Sequence, residues 1–465
     1  MLAAELTPVD WLFLLQHELL LFASLFFLLG ALDEFAIDAL YLIGRARGRI
    51  RTPRIDRSAV EGRGIAGPVA AIIPAWHEDD VIGATMCHLL DAWPQAQLRL
   101  YVGCYANDPA TIAAAMRAAQ GQSRVRIVVY SACGPTTKAD CMNRLYRAIE
   151  KDELREGLRF RMVVIHDAED MVDPAALPLF DAGLAEAELL QLPVLPMRQR
   201  RSRWVSGHYI DEFAEAHAKA MVVRNWLRAG FPSAGVGCAV ARERLALLDT
   251  QSGGNGPFDA GSLTEDYELG LKVAEAGGTT SFVRVRGEDG RLVATRAFFP
   301  CTLETAVRQK TRWVCGIALQ GWDRMGWSGR PLDGWMRMRD RRGPLAALVL
   351  FVAYMLVFLT GGLAIAHQLG VAGTPVVTPL TKALLIANAV SVGWRTMCRA
   401  AFTAREYGLK EGARAILRIP LSNIIAIMAG RRAVAQYVFS LQGGRLPWDK
   451  TEHREHPALS SEALA

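Results

Sequence analysis

The apolar residues of this chain are concentrated in long blocks near its two ends, and this distribution constrains the fold more than any other feature. Of the 465 residues 51% are hydrophobic but 22% are charged, so the chain is not an all-membrane protein. The first block, residues 11–32, is long enough to cross a hydrocarbon layer of about 30 Å, although His17 and Glu18 interrupt it. We therefore predict one soluble domain between membrane segments at both ends.

Further apolar blocks follow in the last third of the chain. Residues 345–369 and 376–394 are separated by a short loop rich in Gly and Pro, and they predict a helical hairpin in the membrane. Residues 415–430 are also apolar but contain Arg418 and Pro420. Three interpretations of this stretch stay open, namely an interfacial helix, a re-entrant segment and a further span.

Clusters of basic residues stand directly behind the first and third blocks. Positive residues beside a membrane span remain on its cytoplasmic side, so both clusters predict a cytoplasmic central domain. We interpret them as topology signals and expect no nucleic-acid binding, since the net charge is only +6. The eight cysteines form no C-x-x-C pair, which argues against a zinc site and a disulfide scaffold. The clusters are Arg45, Arg47, Arg49, Arg51, Arg54 and Arg57, and Arg395, Arg399, Arg405, Lys410, Arg414 and Arg418.

Between the membrane blocks, short β-branched apolar runs alternate with helix-like segments. This alternation predicts an α/β domain with a doubly wound, mostly parallel sheet, whose ligands bind at the carboxyl ends of the strands. Gly62, Gly64 and Gly67 match G-x-G-x-x-G but precede the first strand, so we interpret them as part of a linker. The predicted strands are 69–73, 98–104, 125–130 and 162–165, and the predicted helices are 79–91, 109–119 and 138–149.

These patterns divide the chain into seven parts. We predict an N-terminal transmembrane helix and its exit (1–44), a basic linker (45–67), the α/β domain (68–330), an interfacial segment (331–344), a transmembrane hairpin (345–397), a basic and apolar interfacial or membrane segment (398–443) and a cytoplasmic tail (444–465).

Two acidic side chains follow the fourth predicted strand. Asp167 and Glu169 are separated by one small residue, so on a tight turn both can reach one Mg²⁺ or Mn²⁺ ion and leave positions for phosphate oxygens. The alternative is that they cap the helix after Pro174 or pair with surface arginines. Their place at the end of a strand favours the metal site.

Two further clusters lie later in the domain. Thr264, Glu265 and Asp266 open an amphipathic stretch at 262–276, where they are either functional or ordinary first-turn capping residues. Gln309, Arg312 and Trp313 follow at helical spacing, so they share one face. A guanidinium beside an indole can hold a diphosphate or stack on a sugar ring, but such pairs also pack at membrane interfaces.

The order D-x-D, T-E-D, Q-x-x-R-W resembles that of the processive-type family 2 glycosyltransferases, the group with the cellulose and hyaluronan synthases. The resemblance covers residues 68–322. It implies a GT-A fold, a nucleoside-diphosphate sugar donor, which we expect to carry uridine, a divalent Mg²⁺ or Mn²⁺ ion, and inversion at the anomeric carbon.

Residue roles follow from the same resemblance at the matching positions. Asp167 and Glu169 are then the metal ligands, Asp266 is the general base, and its neighbours Thr264 and Glu265 complete that motif. The resemblance further implies that Gln309, Arg312 and Trp313 hold the diphosphate and the acceptor, while Glu78 and Lys138 border the nucleotide. Two positions depart from the pattern, because Glu169 replaces an aspartate and residues 104–108 lack the aspartate pair of many relatives.

Longer strings resemble a narrower group of bacterial inner-membrane proteins that have an outer-membrane partner. We accordingly expect a multi-pass inner-membrane enzyme that extends a glycan or a lipid-linked acceptor in exopolysaccharide synthesis. Two alternatives remain, a single-addition glycolipid enzyme and a non-catalytic scaffold or receptor subunit. Gln191, Pro193 and Trp204 are candidate acceptor contacts, and a place at the lipid interface is the alternative for Trp204. The strings are 73–78, 107–111, 166–170, 211–215, 262–267 and 448–451.

Overall fold

The computed structural model describes residues 7–131, 133–134, 136–373, 377–444 and 456–459. The string at 448–451 and most of the predicted tail lie outside these residues. Four buried apolar runs form the strands that the sequence predicts, and they end within two residues of the predicted bounds.

The described part of the chain contains a central seven-stranded sheet with the order β4-β3-β2-β5-β8-β6-β9. Its strands are fully buried at the centre and rich in Val, Ile, Leu and Ala, as expected for a sheet covered on both faces. All neighbouring pairs are parallel except those of β8, which runs antiparallel to β5 and β6. The strands are β1 Arg54–Ile55, β2 Val69–Pro74, β3 Leu98–Tyr105, β4 Val125–Tyr130, β5 Met162–Ile165, β6 Leu189–Gln191, β7 Val194–Pro196, β8 Cys238–Ala241, β9 Thr280–Phe282, β10 Arg286–Gly287 and β11 Thr295–Ala297.

Helices cover both faces of this sheet, and the three helices predicted between the first four sheet strands are confirmed. Two π-helical segments, Ala216–Ala220 and Val314–Gln320, continue α7 and α11. The helices are α1 Pro8–Ala46, α2 Arg57–Glu61, α3 Ile82–Ala92, α4 Pro109–Ala118, α5 Lys138–Glu156, α6 Ala176–Gly183, α7 Val205–Glu215, α8 Met221–Trp226, α9 Arg242–Gln251, α10 Glu265–Glu275, α11 Leu303–Trp313, α12 Gly321–Met325, α13 Pro331–Arg341, α14 Gly343–Gln368, α15 Pro379–Tyr407, α16 Leu409–Leu417 and α17 Ile419–Leu441.

The segment predicted as a basic linker contains secondary structure of its own. Strand β1 pairs in parallel with β10, more than 200 positions later in the chain. Asp56 then caps α2 by accepting a hydrogen bond from the amide of Ala59 at 3.2 Å. A sequence pattern local to residues 45–67 could not reveal this distant pairing partner.

Three helices of the described residues are long and apolar enough to cross a membrane, namely α1, α14 and α17. Helix α15, predicted as the second arm of the hairpin, is long but does not reach that apolar content, because Lys382, Asn388 and Arg395 lie along it. The stretch 415–430, which the sequence left open, includes the first half of α17.

A buried ion-pair network joins the α/β domain to the C-terminal helices. Arg418, fully buried before α17, donates to Asp211 of α7 at 2.7 and 2.9 Å and to Glu411 of α16 at 2.8 Å. Arg399 of α15 lies 3.6 Å from the same Asp211 carboxylate. We define Asp211, Arg399, Glu411 and Arg418 as the α7 network; it fixes three C-terminal helices to the domain that carries the site.

Candidate active site

The predicted site residues surround one cavity at the carboxyl ends of β2, β3 and β5. The central cavity has a volume of about 340 Å³ and is formed by segments that are far apart in sequence. It brings together all ten candidate residues, which are Glu78, Lys138, Asp167, Glu169, Thr264, Glu265, Asp266, Gln309, Arg312 and Trp313.

The acidic turn after β5 places three carboxyl side chains at the cavity, and Asp170 is the most deeply buried of them. Asp170 is buried, lies 2.9 Å from Nδ1 of His166, and accepts a hydrogen bond from the amide of Asp167 at 3.0 Å. Asp167 and Glu169 line the cavity. Neither side chain caps α6, which has no side-chain cap, and Asp167 pairs with Lys138.

Lys138 is the first residue of α5, and its Nζ lies 2.6 Å from Oδ1 of Asp167. Burial opposes the charge on this ammonium group, but the carboxylates of Asp167, Glu265 and Asp266 outweigh burial and raise its pKa. Lys138 is therefore a fixed cation that these acidic side chains share.

The Thr264–Asp266 motif lies at the start of α10, but not as an ordinary helix cap. The Thr264 side chain makes no capping hydrogen bond, and its buried Oγ1 has no partner among the described residues. Burial and repulsion by Asp266 raise the pKa of Glu265 to about 7, with Lys138 opposing. Burial also raises the pKa of Asp266, again against the influence of Lys138. Both carboxyl groups consequently hold protons more tightly than they would in water.

A glycine loop holds Asp266 in place from the opposite side. Gly235 has φ +77°, and a Cβ there would lie 3.0 Å from both Cβ and Cγ of Asp266 and collide with its carboxylate oxygen. Gln191 supports this loop by accepting the amide hydrogen of Ala234 at 2.8 Å and donating to the carbonyl oxygen of Val236 at 2.8 Å. Gly235 could not be predicted from a local pattern, because its role depends on a contact with a residue 31 positions away.

Gln191, Pro193 and Trp204, the candidate acceptor contacts, lie outside the lining of this cavity. Gln191 is fully buried, and its amide group is used by the 233–237 backbone. Pro193 accepts a backbone hydrogen bond from Thr295 at 3.0 Å, and Trp204 is 52% exposed. None of the three lines the central cavity.

Helix α11 presents the third predicted cluster to the cavity. Its N-terminus is fixed by Thr302 and Thr305, which form a reciprocal capping box. The buried Oε1 of Gln309 has no hydrogen-bond partner in the described part of the chain, so it remains open to a ligand donor. Trp313 packs edge-on against Tyr209, with centroids 6.1 Å apart, and its ring also lines the cavity.

An aromatic wall beside Glu78 was not predicted from the sequence. Trp76 and Tyr105 meet edge to face with centroids 5.0 Å apart, and both line the cavity. Asp108 caps α4 and accepts a hydrogen bond from the amide of His77 at 2.7 Å. Asp108 thus fixes the turn that follows β2. The two sequence strings at 73–78 and 107–111 are therefore in contact, and this contact is structural.

The charges of the central cavity fit a divalent cation bound together with an anionic ligand. Six carboxylates line it against two cations, Lys138 and Arg312, within the residues that the structure describes. No group of three or more His, Cys, Asp or Glu side chains in those residues could enclose a metal alone. Mg²⁺ is commonly held by one or two carboxylates and completed by substrate phosphates and water, and Asp167 with Glu169 is such a donor set.

With this geometry established, comparisons with known proteins identify the family. A family described as glycosyltransferase like family 2 matches residues 66–316. The chain belongs to glycosyltransferase family 2. It is 32% identical to the bacteriophage adsorption protein B of Escherichia coli K12 over 481 aligned positions, and equally to the bacteriophage N4 adsorption protein B of E. coli O157:H7. These alignments cover 97% of this chain but only 64% of each relative.

The fold is shared with a solved glycosyltransferase. A mannosyltransferase from Pyrobaculum calidifontis, solved with GDP-mannose and Mn²⁺, superposes with a TM-score of 0.52 over 86% of this chain and 99% of that one. At 16% identity this likeness concerns the fold alone. The GT-A fold and the resemblance to adsorption protein B, both predicted from the sequence, are confirmed.

Proposed function

We propose that this family 2 glycosyltransferase transfers a sugar from a nucleoside-diphosphate donor, with uridine as its base, to a growing glycan or a lipid-linked acceptor. The observation that carries the proposal is the convergence of three separate acidic, cationic and aromatic motifs on the central cavity. The donor diphosphate would lie where carboxylates and cations face each other, between the 167–169 turn and α11.

The metal belongs to the same proposal. Asp167 and Glu169 would hold Mg²⁺ or Mn²⁺, which when bound supplies positive charge for the leaving diphosphate. Two relations support it: the cavity has more carboxylates than cations, and a relative in fold was solved with GDP-mannose and Mn²⁺. Lys138 and Arg312 contribute the cations of the chain itself, close to the carboxylates that they balance.

The transfer would proceed by a single displacement with inversion. The acceptor oxygen attacks the anomeric carbon, the bond from that carbon to the diphosphate oxygen breaks, and the acceptor proton passes to Asp266. Burial suits Asp266 to this role because it raises the pKa of the carboxyl group and so makes it a better proton acceptor than an aspartate in water. Gly235 and Tyr267 hold that carboxylate, and Arg312 neutralises charge as it develops on the leaving group.

A screen of nucleotide sugars tests the proposal. Detergent-purified full chain is incubated with a panel of donors and Mg²⁺ or Mn²⁺, and released nucleoside diphosphate is measured. We expect turnover of a uridine-diphosphate sugar that stops in excess chelator. Turnover that continues in chelator would contradict the metal role, and no turnover with any donor would favour the non-catalytic scaffold.

We further propose a multi-pass inner-membrane location with the central cavity in the cytoplasm. The three candidate spans, the basic cluster that begins at the end of α1 and the basic cluster that precedes α17 support this topology. Reporter fusions near residues 5 and 250 should report opposite sides of the membrane, and the same side for both would contradict it. An outer-membrane partner is part of the proposal because the relatives are phage adsorption proteins.

The role in exopolysaccharide synthesis competes with single addition to a glycolipid. Three candidate spans among the described residues are few for lining a polymer channel, which favours single addition unless another copy contributes. Product length separates the two: a ladder of products from one donor indicates polymerisation, whereas one added sugar indicates a glycolipid enzyme.

A further inference from the structure

A second cavity, larger than the first, lies between the α/β domain and helices α15 and α16. This arginine cavity has a volume of about 810 Å³, within the range of small-molecule sites. Of the described residues, nine arginines and five carboxylates line it. Arginine stays protonated in proteins, so the lining carries an excess of positive charge.

The five carboxylates are already engaged by arginines. Asp173, which is buried, accepts from Arg57 at 2.8 Å and lies 3.5 Å from Arg296. Glu406 is shared by Arg284 and Arg286, and Glu411 accepts from Arg418, which belongs to the α7 network. Arg284 and Arg418 do not line the cavity, so Glu406 and Glu411 are shared between arginines inside the lining and arginines outside it.

One cation shows the electrostatic consequence directly. Burial lowers the pKa of Arg296, and the neighbouring Arg291 lowers it further, while Asp173 raises it only in part. An anion in the cavity would stabilise the charged form of Arg296 and so oppose both influences on its pKa. Arg203 and Arg291, which are exposed at its edge, have guanidinium groups that can reach such a ligand from opposite segments.

The two cavities share a thin wall. Leu195 of β7 pairs with Arg296 of β11, and both line the arginine cavity, whereas the adjacent Val194 and Ala297 line the central cavity. A single continuous segment lines both cavities: residues 167–170 face the central cavity, and the next four residues, 171–174, face the arginine cavity. A ligand in one would contact the strands that shape the other.

We propose that the arginine cavity binds a multiply charged phosphate ligand, such as a diphosphate group. Arginine forks match phosphate oxygens in pairs, and several phosphate charges are needed to balance this lining. The group has two sources, a soluble phosphate compound or the headgroup of an anionic lipid. The lipid source is included because Arg405 and Arg414 line the cavity from the two helices that precede the candidate span α17.

The first experiment measures binding of inorganic pyrophosphate to the full chain in neutral detergent with excess chelator. Chelation removes the metal that would draw pyrophosphate to the acidic central cavity, so binding and transferase activity are separated. The test variant is Arg203→Gln with Arg291→Gln, and the control is Arg117→Gln with Arg159→Gln, which are exposed arginines outside both cavities.

We expect wild type and control to bind alike and the test variant to bind about tenfold more weakly or worse, as loss of charged hydrogen bonds predicts. Matching thermal midpoints of the two variants would show that both fold. If the test variant unfolds, Arg291→Gln alone replaces it.

The second experiment distinguishes the lipid source. Native mass spectrometry of protein taken from mixed phosphatidylcholine and phosphatidylglycerol should show retained phosphatidylglycerol that the test variant loses and the control keeps. Loss of binding by the test variant in either experiment supports the proposal and identifies the source of the phosphate group. The proposal would be overturned if wild type bound neither pyrophosphate nor phosphatidylglycerol, or if the test variant bound both as well as wild type does. In the latter case, displacement of the bound ligand by an acidic peptide would assign the surface to a protein partner.

Discussion

The α7 network and the central cavity both contain buried charged side chains, but the two regions differ in how completely these charges are paired. In the α7 network each charge has a partner at hydrogen-bonding or ion-pair distance, and Asp211, Glu411 and Arg418 come from three helices. In the central cavity, within the described part of the chain, six carboxylates face only two cations, Lys138 and Arg312. The contrast teaches that satisfied buried charge fixes the architecture, while unsatisfied buried charge marks a site prepared for a ligand.

The largest expected effect is on activity, at the acidic turn. Asp167→Asn should reduce transfer about 10³-fold or more and weaken donor binding with it, because metal and diphosphate are held together. Thermal stability should stay close to wild type. Asp91→Asn, at an exposed position of α3, is the matched control. Full activity of Asp167→Asn would remove the turn from the site.

The α7 network should show the reverse pattern, with stability lost first. Arg418→Met leaves Asp211 buried without its main partner, which typically costs about 3–5 kcal/mol in free energy of unfolding. The control Arg308→Met breaks the exposed pair with Glu304 and should cost less than about 1 kcal/mol. Adding Asp211→Asn to Arg418→Met should recover part of the loss. Equal midpoints for Arg418→Met and Arg308→Met would show that the network is not structural.

Gly235 combines a structural role with a role in the site, since its backbone conformation determines the space available to the Asp266 carboxylate. Gly235→Ala introduces a Cβ against the Asp266 carboxylate at a φ that alanine disfavours. We expect turnover to fall about 10- to 100-fold with donor affinity retained, as for a displaced catalytic group. Gly254→Ala, also at positive φ but with nothing within 4 Å of the added Cβ, controls for backbone strain. Similar losses in both variants would mean strain alone is responsible.

The smallest effect concerns acid stability. Burial lowers the pKa of His217 to about 4, so the folded protein keeps this ring neutral while the unfolded chain protonates it near its ordinary pKa of 6.5. Stability therefore falls as pH decreases from 6.5 towards 4, by at most about 3 kcal/mol from this group. In His217→Gln the thermal midpoint should therefore depend less on pH in that window. An unchanged pH profile would show that His217 does not contribute.

How much could be predicted from the sequence depended on the range of the contacts. The strands at 69–74 and 162–165 were predictable because buried apolar runs and the polar residues that follow them are local patterns. The ten candidate residues that line the central cavity were named from short motifs and from the family resemblance. Gly235, the pairing of β1 with β10 and the arginine cavity were not, since each joins segments whose proximity only the fold creates.

The central claim is that the carboxylate of Asp266 serves the acceptor, and one comparison tests it most directly. Donor dissociation constant and transfer rate are measured for Asp266→Asn, which keeps the size of the side chain but cannot take the acceptor proton. We predict donor affinity near wild type and transfer reduced about 10²- to 10⁴-fold. Donor affinity that falls in proportion to the rate, or activity that persists, would contradict the assignment of Asp266 as the base.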